Sequence, residues 1–272
     1  MTSLPSQTAY PKAVLFDLLT ALLDSWTSWN HAAGSEAAGR AWRAAYLRRT
    51  YGCGQYIAYE QLVREAAVEV GLPESAADAL EANWLKLAPW SSAVDTLHAL
   101  KPHCKLAIVT NCSIRLGSQA AEIFPIHWDA VVTAEEAGMY KPDPLPYRLA
   151  LDKLGVGAHE AAFVAGSSYD MFGTAAVGLR TYWHNRVGLP LVAGAQPGAG
   201  RAPLDAAALT FLLDAMPPAL YGATATPVAV PTVERGLAPI RSWSTMIAVV
   251  RPSSRSTSGR ASVGMKPWTK AL

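Results

Sequence analysis

The strongest constraint on how this chain can fold is an alternation of short apolar runs with stretches of helical periodicity. The strands expected from it are Lys12 to Leu19, Lys105 to Asn111, Ala130 to Thr133, Ala161 to Gly166 and Arg180 to Asn185. Helices are expected from about Ser113, from about Pro144 to Leu154 and from Tyr169 to Val177. Short apolar strands interleaved with helices predict a parallel sheet covered on both faces. The chain is therefore read as α/β, with a doubly wound parallel-sheet core and its sites at the carboxyl ends of the strands.

One connection breaks the rhythm. The first expected strand is separated from the second by far more residues than a strand-to-helix loop requires. From Ser25 to about Leu87 the pattern is helical, with amphipathic helices expected over Gly39 to Thr50, Tyr59 to Val70 and Ser75 to Leu87. The last opens on a Ser75-x-x-Asp78 capping pattern. Ser91 or Ser92 is expected to cap a further helix running to Leu100. The surplus reads as an inserted helical cap domain. The expected division is a core over 1–24 and 89–190, a cap over 25–88 and a poorly defined end of the core over 191–222. A basic, low-complexity tail over 223–272 is expected to be disordered.

Of the 272 residues 51% are hydrophobic, enough for a substantial core. No run of about 18 uncharged apolar residues occurs, so no membrane span is expected. Residues 1–12 contain Pro5 and Pro11 and no apolar signal core. The three cysteines, Cys53, Cys104 and Cys112, lack metal-type spacing and suit a reducing, cytoplasmic setting. The net charge of +2 hides an asymmetry: from Ala223 onward there are seven basic residues against Glu234 alone. The body before it keeps 16 of the 23 basic and 20 of the 21 acidic residues. The basic tail shows no helical periodicity and reads as a solvated extension, so no nucleic-acid partner is read from it.

Four segments carry chemistry. Asp17 stands where the first strand meets its loop, and a carboxylate held there unprotonated is a competent nucleophile. Lys141 supplies the cation that keeps a partly buried carboxylate charged. Thr110 and Asn111 end the second strand, where hydroxyl, amide and helix-start N–H groups can orient an anion. Asp170 follows the fourth strand beside Ser167 and Ser168, placed to pair with Lys141 or to activate a water. Each has a plain local alternative. Asp17, Thr110, Asn111 and Asp170 are ordinary capping residues, and Lys141 precedes a proline turn.

In this order the residues resemble the haloacid dehalogenase superfamily over roughly Ala13 to Leu189, and within it the 2-haloacid dehalogenases. The resemblance rests on Phe16-Asp17-Leu18-Leu19-Thr20, on Trp42-Arg43 with Leu47 and Thr50, and on Lys141-Pro142-Asp143 with Tyr147. It continues through Phe163-Val164 to Asp170 and Trp183-His184-Asn185-Arg186. It implies a Rossmann-like core with a cap and no cofactor or metal. The implied substrate is a small carboxylic acid whose C2 is attacked by Asp17 to give an aspartyl ester that water cleaves. Lys141 and Asp170 are the implied catalytic partners. Arg43 and Asn111 would receive the leaving anion, and Thr110, Tyr147, Ser167, Leu18 and Thr20 would complete the binding site. Related dehalogenases are often dimers, which leaves a homodimer open.

Departures from the pattern shape the expectation. The superfamily's phosphatases carry a second aspartate two residues after the nucleophile, where this chain has Leu19. They also carry an acid for magnesium near Gly166 or Ser167, and none precedes Asp170 in that loop. The dehalogenases' usual threonine is replaced by Ala21, with Thr20 beside it, and their usual asparagine by Ser167. The leading expectation is (S)-2-haloacid hydrolysis. The runner-up is opening of the azetidine-2-carboxylate ring, with Trp26, Trp29, Trp42 and Tyr46 holding the ammonium. A phosphatase and an inactive scaffold remain as further alternatives. Cys112 is expected to be a small filler and His184 a structural histidine.

Overall fold

The computed structural model describes residues 11–195. The expected basic tail over 223–272, and all but the start of the segment before it, lie outside the described residues. Five parallel strands, β1 (Ala13–Phe16), β2 (Lys105–Thr110), β3 (Ala130–Thr133), β4 (Ala161–Ala165) and β5 (Arg180–Trp183), form one sheet in the order β3-β2-β1-β4-β5. With β1 at the centre, the chain crosses from one half of the sheet to the other between β3 and β4. The loops beyond the carboxyl ends of β1, β2 and β4 therefore border one crevice.

Successive strand residues face opposite sides. Val14 and Phe16 join Leu106, Ile108, Ala162, Val164 and Tyr182 in one apolar cluster, while Ala13 and Leu15 join Ala107, Val109, Phe163 and Ala165 in the other. The second face is covered by α8 (Pro144–Leu154) and α9 (Asp170–Val177) through Tyr147, Ala150, Leu151, Leu154 and Met171. The first is covered by α5 (Ala93–Leu100) and α6 (Ile114–Ala121). The same cluster runs on without a break into the inserted helices α1 (Ser25–Ala32), α2 (Glu36–Gly52), α3 (Tyr59–Glu69) and α4 (Ser75–Ala82). One further short helix, α7 (Ala134–Ala137), follows β3.

Aromatic rings organise the insertion. Trp29 lies 4.6 Å from Trp42 and 5.6 Å from Tyr46, Tyr46 lies 5.5 Å from Tyr59, and Tyr59 lies 6.0 Å from Trp84. Each such pair adds about 0.5–1.5 kcal/mol beyond the area it buries. The insertion is tied to the sheet layer by Trp84 Nε1 donating to Leu116 O (2.8 Å) and by Arg115, which pairs with Glu60 (2.9 Å) and Glu81 (2.6 Å). Among the described residues no helix is long and apolar enough to cross a membrane.

Several elements differ from expectation for local reasons. The first strand stops at Phe16 rather than Leu19, because the Asp17 carboxylate accepts from the Thr20 and Ala21 N–H groups and coils the chain. Leu18–Leu22 then forms a single π-helical turn, closed by Leu23 N–H donating to Leu18 O (3.0 Å). The Ser75-x-x-Asp78 cap does not form. Ser75 already lies inside α4, and Asp78 pairs with Arg64 at 2.6 Å. That helix ends at Ala82, and a short 3-10 turn, Trp84–Lys86, completes the run. Ser92 occupies the cap position of α5 without making the capping hydrogen bond, whereas Ser113 and Asp143 do cap α6 and α8. α2 starts at Glu36, ahead of Gly39, because Ser35 caps it by accepting from Ala38 N–H.

Candidate active site

The crevice holds a buried charge cluster. Asp17 Oδ2 accepts from Thr20 N (2.8 Å), Ala21 N (3.1 Å) and the Thr20 hydroxyl, all within the π turn. Among the described residues, Asp17 Oδ1 accepts only from Lys141 Nζ, at 2.8 Å. The turn can approach β4 because residue 166 is glycine; a methyl group there would overlap the Thr20 hydroxyl and the Thr20–Ala21 peptide. Burial alone would raise the Asp17 carboxyl, but the Lys141 charge and the hydrogen bonds from Lys141 and Thr20 hold it below the usual carboxylate range.

Lys141 is fixed at both ends. Its backbone is clamped by Asn111, whose Oδ1 accepts from Lys141 N (2.7 Å) and whose Nδ2 donates to Lys141 O (3.1 Å). Its ammonium reaches Asp17 and, at 3.0 Å, Asp170 Oδ1. Burial would lower the lysine, but the two carboxylates outweigh it and raise it, so it stays charged. Asp170, the first residue of α9, also accepts from the Tyr147 hydroxyl at 2.7 Å. For Asp170 burial dominates: together with repulsion from Asp17 it lifts the carboxyl above its ordinary value despite Lys141 and Tyr147. Two carboxylates sharing one lysine are thus driven in opposite directions.

Arg43 faces this cluster from α2. It is buried (8% exposed), donates from Nη1 to Ser25 Oγ (2.9 Å) and lies 4.3 Å over the Trp26 ring and 5.3 Å from the Trp29 ring. Among the described residues it has no carboxylate within ion-pair distance. Burial lowers it, against Tyr59, Asp17 and other groups that raise it. A cavity of about 330 Å³ separates Arg43 from the cluster and is lined by Asp17, Thr20, Arg43, Thr110, Asn111, Lys141, Ser167 and Asp170 among others.

Asp17, Lys141 and Asp170 therefore come together as the sequence predicts, with Arg43, Thr20, Thr110, Asn111 and Ser167 around them. Two expected binding residues do not reach the cavity. Tyr147 is fully buried behind Asp170, where it positions that carboxylate. Leu18 is turned into the core by the π turn, and Leu19 lines the cavity instead. Three others are partly committed elsewhere. Asn111 clamps Lys141, Thr20 holds Asp17, and the Thr110 hydroxyl lies 3.3 Å from Cys112 Sγ. Sequence reasoning missed Tyr51, Leu189, Pro190 and Val192 in the walls, which carry no motif to mark them, and gave no role to Tyr169, which stands beside Asp170. Cys112 is buried and its thiol is pushed up to about 12, chiefly by burial. His184 is buried with Nδ1 at 2.7 Å from Ala21 O. Among the described residues no three His, Cys, Asp or Glu side chains gather as a metal site requires.

The haloacid dehalogenase-like hydrolase family profile matches residues 14–184. The chain is 31% identical over 196 residues to (S)-2-haloacid dehalogenase 1 of Pseudomonas sp. (strain CBS-3), covering 66% of this chain and 86% of that one. It is 28% identical over 196 residues to (S)-2-haloacid dehalogenase 4A of Burkholderia cepacia, covering 66% of this chain and 85% of the relative. Among solved structures, L-2-haloacid dehalogenase from Xanthobacter autotrophicus with chloropropionic acid covalently bound superposes with a TM-score of 0.58 at 26% identity, over 65% of this chain and 78% of that one. A matched profile reaching from β1 to the end of β5, on a sheet that brings Asp17 and Lys141 together, places the chain in the haloacid dehalogenase-like hydrolase family.

Proposed function

We propose that this hydrolase removes a halide from C2 of an (S)-2-haloacid through a covalent ester on Asp17. Three donors occupy Oδ2 of Asp17, whereas among the described residues Oδ1 meets Lys141 alone, so Oδ1 keeps an electron pair for attack. It approaches C2 opposite the carbon–halogen bond, which breaks as the new C–O bond forms, and the halide leaves with the bonding pair. Water then adds to the Asp17 carbonyl carbon and gives its proton to Asp170, whose raised affinity suits it as the base. The ester opens to a 2-hydroxy acid inverted at C2, and the proton and halide depart.

The observation that carries this reading is Arg43, a buried guanidinium that no carboxylate of the described residues pairs with, across the cavity from the nucleophile. A buried cation without a partner is costly unless a ligand supplies the anion. It also separates the two leaving groups. The faces of Trp26 and Trp29, which a ring ammonium would need, are turned to Arg43 instead, and Trp42 is spent in the core with Nε1 donating to Val63 O (2.8 Å). A departing halide finds an attractive charge there, whereas an ammonium finds a repulsive one.

A panel of 2-halopropanoates and azetidine-2-carboxylate, run without added metal and scored for halide and amine release, tests the proposal. Halide from the (S) acids alone is expected. Amine release without halide would transfer the assignment to ring opening, and magnesium-dependent release from p-nitrophenyl phosphate would transfer it to phosphoryl transfer. Turnover in heavy-oxygen water should label the Asp17 side chain, since the attacking water exchanges into the carboxylate.

A further inference from the structure

The cavity is larger and more apolar than a three-carbon haloacid requires. At about 30 Å³ for each water-sized atom, such an acid fills only about half of the 330 Å³. Asp17, Lys141 and Asp170 lie at one side and Arg40 and Arg43 at another, while Leu47, Tyr51, Tyr169, Leu189, Pro190 and Val192 supply a largely apolar stretch of wall.

That wall is preformed. Tyr51, at the end of α2, packs its ring 4.4 Å from that of Tyr169, which precedes α9. The segment from Leu189 to Val192 is pinned at two points. Asn185 Nδ2 donates to Leu189 O (2.8 Å) while its Oδ1 accepts from Leu189 N (2.7 Å), and Val192 N donates to Ser168 Oγ (3.2 Å). The nearby polar groups are also engaged: Ser167 Oγ accepts from Tyr169 N (3.3 Å), and Asp170 is held by Lys141 and Tyr147. Water in this part of the cavity finds few of the two to four partners that would hold it. A space kept open by fixed walls and poorly served for water favours apolar occupancy.

We infer that the acid this site takes carries a bulky apolar side chain at C2, of the size of a butyl or benzyl group, seated against Tyr51, Leu189 and Val192. The inference rests on the proposed displacement chemistry only for the identity of the reacting carbon. Recognition has two parts: the charged groups hold the carboxylate and the leaving group, and the pinned wall takes the side chain.

The test compares 2-bromopropanoate, 2-bromohexanoate and 2-bromo-3-phenylpropanoate on the full chain, alongside calorimetric titration of lactate and 3-phenyllactate. The kcat/KM is expected to rise at least tenfold from the propanoate to the phenylpropanoate, and 3-phenyllactate to bind at least tenfold more tightly than lactate. Val192→Trp and Leu189→Trp, each filling the space, should lower the phenylpropanoate-to-propanoate ratio of kcat/KM by at least tenfold. Equal binding of the two hydroxy acids, or ratios unmoved in both variants, would overturn the inference. Tight 3-phenyllactate binding with no halide released from any bromo acid would uphold it and defeat the displacement chemistry instead.

Discussion

The sheet's carboxyl edge and the inserted helices hold charge by opposite means. At the edge, Lys141 is matched by two carboxylates, its backbone is clamped by Asn111, and Asp17 is held by a turn of its own making. In the insertion, Arg43 is buried against indole rings with one neutral hydrogen bond and no carboxylate among the described residues. Compensated charge is charge the fold keeps in place for chemistry. Uncompensated charge is affinity held in reserve for a ligand. The comparison assigns reactivity to the sheet and recognition to the helices, and it predicts that variants on the two sides fail differently.

The largest effect belongs to Asp17, the proposed nucleophile. Asp17→Asn retains the turn's hydrogen-bond acceptor but loses the attacking electron pair, so halide release should fall by at least about 10⁴-fold. A residual rate near wild type would place the attacking atom elsewhere in the cavity.

Next come two charge deletions with different effects on stability. Lys141→Met leaves Asp17 and Asp170 buried together without a cation. Thermal or denaturant unfolding should show a loss of about 3–5 kcal/mol at neutral pH, along with loss of turnover. Arg43→Met removes a charge that no carboxylate of the described residues matches, so its stability should hold or rise. Its kcat/KM should fall about 10²-fold, the scale of a charged hydrogen bond of about 1.5–3 kcal/mol. If Arg43→Met destabilised the fold as much as Lys141→Met, the distinction between the two regions would be wrong.

The same contrast accounts for what the sequence reveals. The strands are legible because each is a short apolar run between turn residues, and Ala130 to Thr133 and Pro144 to Leu154 fall where periodicity puts them. Asp17, Lys141 and Asp170 are legible because they stand, in order, in the connections that leave β1, β3 and β4, although Lys141 comes only after α7. Contacts that depend on side-chain direction are not legible. Neither the π turn that exchanges Leu18 for Leu19 nor the burial of Tyr147 behind Asp170 follows from spacing alone. The Ser75-x-x-Asp78 pattern misleads because Arg64, fourteen residues from Asp78 in sequence, competes for the carboxylate. The wall from Leu189 to Val192 is set by the Asn185 side chain four residues before Leu189 and by Val192 N donating to Ser168 Oγ, a contact 24 residues apart that no local pattern encodes.

The smallest effect probes how finely the edge is balanced. The ordinary aspartate value is about 3.9. Asp17 sits below it and Asp170 above it, so as pH falls Asp170 is protonated first while Asp17 stays ionised. The acid limb of steady-state turnover should therefore report ester hydrolysis, with the Asp17 ester accumulating in quenched samples at low pH. Tyr147→Phe removes one donor to the charged form of Asp170, which must raise that carboxyl further. The acid limb should move upward by less than about one unit, in line with a hydrogen bond of about 1 kcal/mol, while the plateau at higher pH changes only a few-fold. A structural defect alone would lower the plateau and leave the limb in place. A limb that moved downward would mean that Tyr147 stabilises the protonated acid, and Asp170 would then be the wrong choice of base.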